Sequence, residues 1–377
     1  MKKLFTLSIG KAEDQLDFLE LPGVPSTQKI RLFMRDGLFY IGNGSADKIM
    51  EFSSYGDLLS LLYNPKTNPQ PYLLRATTSG GELSTREAHS YPLNNVGELA
   101  VSPGKVLLVE DQVSAERQEY DKKLGAMLSY VVLRFRSDGT LIDYIGQEGI
   151  GGTPFPYIER IQTNSRGETI VICRTPADWL VFWYSPGGEL EYKVEIGLKN
   201  LPLPAATGYT ASLETIFADP ARHLLYLKID YYRADKTGGV RGNVEFAKSS
   251  VYWLNVDTQK YVGHVDLPRH IIEEKGNGAF GTKKVEVLYQ FLGVARGGYM
   301  FFLSPLANNY DEVLVLDKQG NIVRRSRILL GDKSIAYRTF YLDPSGVLSA
   351  LLVGNYSASV VWWRSDKLIE GARIEGR

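Results

Sequence analysis

The sequence predicts an all-β chain: a six-bladed β-propeller of four-stranded antiparallel blades, closed by the N-terminal strand pairing into the C-terminal blade. Three observations predict it. An alternating apolar strand running into an Asp-Gly-like turn recurs along the 377 residues. A second set of tight turns recurs ahead of it in every unit. The last unit runs out of chain one strand short, while an unassigned strand, Leu4-Phe-Thr-Leu-Ser-Ile-Gly10, stands at the start. Composition agrees, with 44% hydrophobic residues and 23 Tyr, 15 Phe and 5 Trp favouring strands and a large core.

The units follow in order. The first, 28–63, has the turn Arg35-Asp-Gly37 and a third strand, Lys48-Ile-Met-Glu-Phe52, entering Ser53-Ser-Tyr-Gly-Asp57. The second, 95–146, has Ser102-Pro-Gly104, then Val131–Phe135 entering Ser137-Asp-Gly139. The third, 157–196, has Asn164-Ser-Arg-Gly167, then Leu180–Tyr184 entering Ser185-Pro-Gly-Gly188. The fourth, 212–267, has Asp219-Pro-Ala-Arg222, then Ser250–Asn255 entering Val256-Asp-Thr-Gln259. The fifth, 285–330, has Ala295-Arg-Gly-Gly298, then Val313–Leu316 entering Asp317-Lys-Gln-Gly320. The sixth, 335–369 completed by 4–10, has Asp343-Pro-Ser-Gly346 and Val360–Trp363 before Arg364-Ser-Asp366. A β-sandwich does not predict so regular a recurrence. One domain, 1–373, is expected, and Ile374-Glu-Gly-Arg377 reads as a protease-site scar.

The stretch from Arg136-Ser-Asp-Gly-Thr-Leu-Ile-Asp-Tyr-Ile-Gly-Gln-Glu-Gly149 through Pro154-Phe-Pro-Tyr-Ile158 to Gly167-Glu-Thr-Ile-Val-Ile172 resembles an NHL-type propeller repeat. It departs at Cys173-Arg-Thr-Pro176, where that family usually places Asp and Asn. The other units match by strand and turn pattern alone. The whole chain resembles spirochaetal NHL-like propeller lipoproteins of undefined function. That resemblance implies a cell-envelope, periplasmic-side location through a lipid anchor outside this sequence, with the cytoplasm as the alternative. It implies no defined activity.

Lys plus Arg and Asp plus Glu both total 43, so the formal charge is zero, which argues against a nucleic-acid partner. No apolar run of 18 residues is present, so no membrane-spanning helix is expected. Cys173, in Thr169-Ile-Val-Ile-Cys173, reads as a buried inert thiol. His89, His223, His264 and His270 lack zinc-ligand spacing, and His223 reads as exposed beside its turn. There is no Gly-x-Ser-x-Gly elbow and no phosphate loop, and Gly276-Asn-Gly-Ala-Phe-Gly281 reads as a flexible linker. No cofactor, metal or catalytic residue is expected.

Strand direction then sorts the loops. With four strands a to d per blade, the a–b and c–d turns share one face and are uniformly tight. The b–c loops and d–a connections share the other face and hold the insertions 111–125, 231–245 and 305–311 and the connections 64–94, 197–212 and 269–284. Trp179, Tyr231, Tyr232, Arg233 and Tyr310 on that face are of types common at interface hot spots, so binding of a protein or peptide is the first expectation. Strand a begins on the same face. Counting back from the a–b turns places Arg31, Glu98, Glu159, Arg160, Glu214, Gln290 and Arg338 at the channel mouth. This mixed-charge ring either neutralises itself or takes a small polar or anionic ligand, the second expectation. A metal-dependent lactonase-like hydrolase using Glu98, Glu159 and Glu214 is the third, opposed by the arginines at the same level.

Overall fold

Burial along the strands shows how the blades stack. Second strands such as Leu348–Val353 are buried at every residue, whereas fourth strands such as Leu190–Gly197 and Lys260–Asp266 alternate or lie mostly exposed. That contrast arises when sheets pack face to face around an axis, because inner strands are covered on both sides and outer ones only in part. The computed structural model describes residues 1–19, 28–74, 86–204, 208–234, 244–275, 282–306, 310–330 and 335–370.

Six antiparallel sheets form the ring. Blade one comprises Ile30–Arg35, Leu38–Asn43, Lys48–Phe52 and Leu58–Tyr63; blade two comprises Leu99–Val101, Leu107–Gln112, Tyr130–Phe135 and Leu141–Gly146. Blade three is Tyr157–Thr163, Thr169–Arg174, Asp178–Tyr184 and Leu190–Gly197; blade four is Tyr209–Ala218, Leu224–Ala234, Val244–Asn255 and Lys260–Asp266. Blade five is Gln290–Ala295, Tyr299–Pro305, Tyr310–Leu316 and Ile322–Leu329. Blade six takes Tyr337–Leu342, Leu348–Val353 and Ser357–Trp363 from the C-terminal end and Lys2–Ser8 from the N-terminal end. The core is correspondingly divided: a cluster of buried side chains sits between each pair of neighbouring blades.

The N-terminal strand therefore closes the ring. Phe5 pairs with Val360 and Leu7 with Ala358, and both side chains turn toward blade one. The Phe5 ring lies 5.2 Å from Phe52 and edge-on to Phe39 at 6.0 Å. Gly56, with φ of +91°, lets the blade-one turn approach: a Cβ there would lie 2.6 Å from the Phe5 Cβ.

Two blades exceed four strands. Glu87–Ser90, from the 64–94 connection, runs parallel to Leu58–Tyr63, and Gly149–Ile150 adds an antiparallel strand outside Leu141–Gly146. Both cover an otherwise open sheet edge. The 111–125 insertion contains the 3-10 turn Ala115–Arg117, and Glu119–Asp121 pairs with Ala126–Leu128 in a hairpin; Ile271–Lys275 pairs with Thr282–Glu286 in another. The Gly276–Gly281 stretch, the terminal Ile374–Arg377 and parts of the 64–94, 197–212, 231–245 and 305–311 loops lie outside the described residues. Cys173 is fully buried, and burial pushes its thiol well above the usual range. No described helix is long and apolar enough to cross a membrane.

Because Phe5 belongs to two blades at once, Phe5→Ala is expected to lower the unfolding free energy by about 3–5 kcal/mol. In denaturant melts the loss should be shared by the whole ring, with tryptophan fluorescence and far-ultraviolet dichroism shifting together. Loss of structure confined to blade six would contradict closure.

Candidate functional site

The first strands of the six blades surround a cavity of about 340 Å³ whose lining runs from the channel mouth to the turns at Pro220 and Pro344. Six of the seven side chains placed there from the sequence line it: Arg31, Glu98, Glu159, Arg160, Gln290 and Arg338. Glu214 does not. The pairing of Tyr209–Ala218 with its neighbour slips between Leu213 and Thr215, and Glu214 is left exposed, accepting a hydrogen bond from Ser212 Oγ at 2.9 Å. Phe217 and Ala218 line the cavity in that blade instead. A corresponding slip between Ile158 and Arg160 leaves Glu159 as the skipped residue in blade three. A bulge breaks the strict alternation of side chains there, and the successive residues Glu159 and Arg160 both line the cavity.

Two of the three arginines are committed. Arg31 Nε is ion-paired with Glu98, while its Nη1 donates to Tyr337 Oη at 3.2 Å and to Ile30 O at 3.1 Å. Burial works against this cation, but Glu98 and Tyr337 more than offset it and raise its proton affinity. Arg338 Nη1 donates to Asp311 Oδ2 at 2.9 Å. Arg160 differs. Among the described residues it makes no ion pair: its guanidinium carbon lies 3.9 Å from the Phe217 ring centre, its Nη2 reaches Thr215 Oγ1 only at 3.5 Å, and its Nε is buried without a partner. Burial lowers its proton affinity, and the Glu98 and Glu159 charges offset that only in part. Glu159 lies 3.9 Å from Arg174 on the other side.

Behind Glu98 lies a buried network that the sequence reading missed. Lys29 Nζ donates to Glu110 at 2.8 and 3.0 Å, sits 4.3 Å over the Tyr157 ring and lies 3.8 Å from Glu98. The Glu98 amide donates to Glu110 Oε2 at 2.6 Å. Gly97 makes room, since a Cβ there would stand 2.2 Å from that carboxylate. Burial pushes Glu110 up to about 7, with Lys29 opposing and Glu98 assisting. Asp111 is likewise pushed up to about 7, mainly by burial, against a 2.6 Å hydrogen bond from the Asn94 amide. The signal available in sequence was Glu110-Asp111 itself, two carboxylates ending the apolar run Leu107-Leu-Val.

The proposed partner-binding residues divide. Trp179 and Tyr231 are buried, 1% and 0% exposed, in the cluster between blades three and four, and Tyr231 Oη donates to Pro202 O at 2.6 Å. Both stand on middle strands covered on two sides, so neither is free to meet a partner. Tyr232 is half-buried, its ring 5.9 Å from Phe246; Arg233 is exposed, 3.5 Å from Glu245; Tyr310 is exposed. His223, expected to be exposed, is half-buried against the Trp183 and Tyr192 rings.

No known protein family matches the chain, and no curated protein does. Matches among solved structures are distant. An ulvan lyase of a polysaccharide lyase family is 11% identical, with a TM-score of 0.42, covering 96% of this chain and 82% of that one. A protein of unknown function from Bacteroides caccae is 12% identical, with a TM-score of 0.36 and coverage of 86% and 93%. The calcium-binding protein regucalcin from Agrobacterium tumefaciens is 10% identical, with a TM-score of 0.36 and coverage of 88% of both chains. These likenesses concern architecture and assign no chemistry to this channel.

The raised carboxyl of Asp111 has a measurable consequence. Its folded-state pKa of about 7 exceeds the ordinary 3.8, so between those values the folded chain holds a proton that the unfolded chain has lost. Stability from this group is complete below the ordinary value and declines as pH rises to about 7, by at most about 1.4 kcal/mol per pH unit. Asp111→Asn is expected to flatten that decline in urea melts taken from pH 4 to 8. An unchanged slope would contradict the assignment.

Proposed function

We propose that the protein is a binding propeller whose channel mouth takes a small anion, with Arg160 as the principal contact. The observation that carries this reading is the guanidinium of Arg160, which has no ion pair among the described residues and lies over Phe217 beside a polar cavity. A half-buried cation with no carboxylate in direct contact is incompletely solvated, and an anion offering two oxygens to the guanidinium fork would restore the lost solvation. The rest of the lining supplies Gln290 and Thr339 for neutral polar groups, and Phe291 and Phe340, with Phe217 beside Arg160, for an apolar edge. The cavity volume, about 340 Å³, suits a ligand of metabolite size.

Protein or peptide binding through the elaborated face, the first expectation, is less well supported, because two of its five anchors are core side chains. The hydrolase reading also weakens: Glu98 is held by Arg31, Glu159 lies toward Arg174 and Glu214 is outside the cavity, so the three carboxylates do not converge.

The test is thermal unfolding with citrate and with inorganic phosphate as probes. A bound anion at about 100 times its Kd adds roughly 2.7 kcal/mol to stability, which reads as a clear rise in the midpoint. The rise is expected in the native chain and in Arg136→Gln, a substitution at an exposed site, and is expected to vanish in Arg160→Gln. An equal rise in Arg160→Gln would sink the proposal.

A further inference from the structure

On the opposite face, where the turns are tight, three ligand-type side chains from two blades meet. Glu168 follows the first turn of blade three, Glu191 lies on its outer strand Leu190–Gly197, and His223 stands in the first turn of blade four. One donor atom from each lies within 4.8 Å of the other two. We propose that Glu168, Glu191 and His223 form a divalent-cation site of the Zn²⁺ type that clamps blade three to blade four.

The geometry of the imidazole is the main support. His223 Nδ1 lies 2.8 Å from Asp257 Oδ1, so the carboxylate orients the ring and leaves Nε2 as the metal-facing nitrogen. His223 Nε2 is buried and has no hydrogen-bond partner among the described residues. It lies 3.4 Å from Glu168 Oε2, close enough for a contact yet not aligned as a hydrogen bond. Ligands bound tetrahedrally at about 2.0–2.1 Å from one ion are separated by about 3.3–3.4 Å, so this spacing is that of two ligands sharing a cation. The ring cannot readily turn away, since Trp183 and Tyr192 pack edge-on against it at 5.2 and 5.1 Å.

The carboxylates suit the same role. Trp183 Nε1 donates to Glu168 Oε2 at 2.8 Å and Asn164 Nδ2 to the same oxygen at 2.5 Å, which fixes the carboxylate in place. Glu191 is exposed and makes no hydrogen bond or ion pair among the described residues, so it can swing onto the ion. Arg166, 3.0 Å from Glu168 Oε1 and 3.1 Å from Oε2, occupies part of the approach; its side chain is 46% exposed and can retreat into solvent. A histidine, two carboxylates and a water make up a zinc coordination shell of ordinary type. Such an ion would tie two blades together at a distance from the anion site, so the two proposals stand or fall separately.

The experiment is calorimetric titration of the untagged, chelator-treated full chain with ZnCl₂, alongside its thermal unfolding. The expected result is saturable binding of one ion per chain with a raised unfolding midpoint. Asp257→Asn is expected to weaken binding by about 10- to 100-fold. His223→Ala should abolish binding, and Glu191→Gln, at an exposed position that tolerates change, should weaken it at least tenfold should the first variant fail to fold. No saturable uptake by the native chain, or native-like uptake by Glu191→Gln and Asp257→Asn, would overturn the proposal.

Discussion

No blade of this ring has a core of its own. Each buries its two faces against its neighbours, and the apolar clusters accordingly lie between blades: Ile172 with Leu227, Phe217 with Phe291, Phe301 with Leu352, and Phe5 with Phe52. Hydrophobic burial of this kind is favourable only when both surfaces are present. The contact between Lys2–Ser8 and Ser357–Trp363 is therefore the one on which the others depend, since it brings Phe5 and Leu7 to the final gap between blades six and one.

Closure also assembles the channel. Arg31, Glu98, Arg160 and Arg338 come from blades one, two, three and six, and they share a cavity because every first strand enters it from the same side. The charges are not equivalent once placed. Arg31 and Arg338 have carboxylates in contact and so contribute chiefly to holding neighbouring strands together, Glu98 to Arg31 and Asp311 to Arg338. Arg160 has an aromatic face in place of a carboxylate, which supports its position without cancelling its charge. A ring that looks self-neutralising by count is therefore uneven in space.

The two faces carry different chemistry. The face with long connections surrounds the polar mouth, whereas the face with tight turns packs turn against turn, as where the Ser165 amide donates to Pro220 O and the Arg296 amide to Pro344 O, both at 2.8 Å. Short turns bring side chains from adjacent blades close together, and His223 meets Glu168 and Asp257 there for that reason.

Local chemistry in the sequence was enough to determine the strands, the turns and the closing strand. Alternation has a period of two, turn residues such as Gly139 and the pair Asp36-Gly37 adopt positive φ that few other residues tolerate, and both signals act within a few residues. Six channel residues followed from counting along those strands. Tertiary structure alone decided the rest. The bulges at Glu159 and Glu214 depend on pairing with the next strand, and a single extra residue changes which way the side chains around it point. Trp179 and Tyr231 carry the residue types of a binding surface, but only the neighbouring blade determines that they are covered. The partners of Arg160, Glu110 and His223 lie in other blades or on other strands. Their charge and burial are set by contacts across the ring, which no short stretch of chain contains.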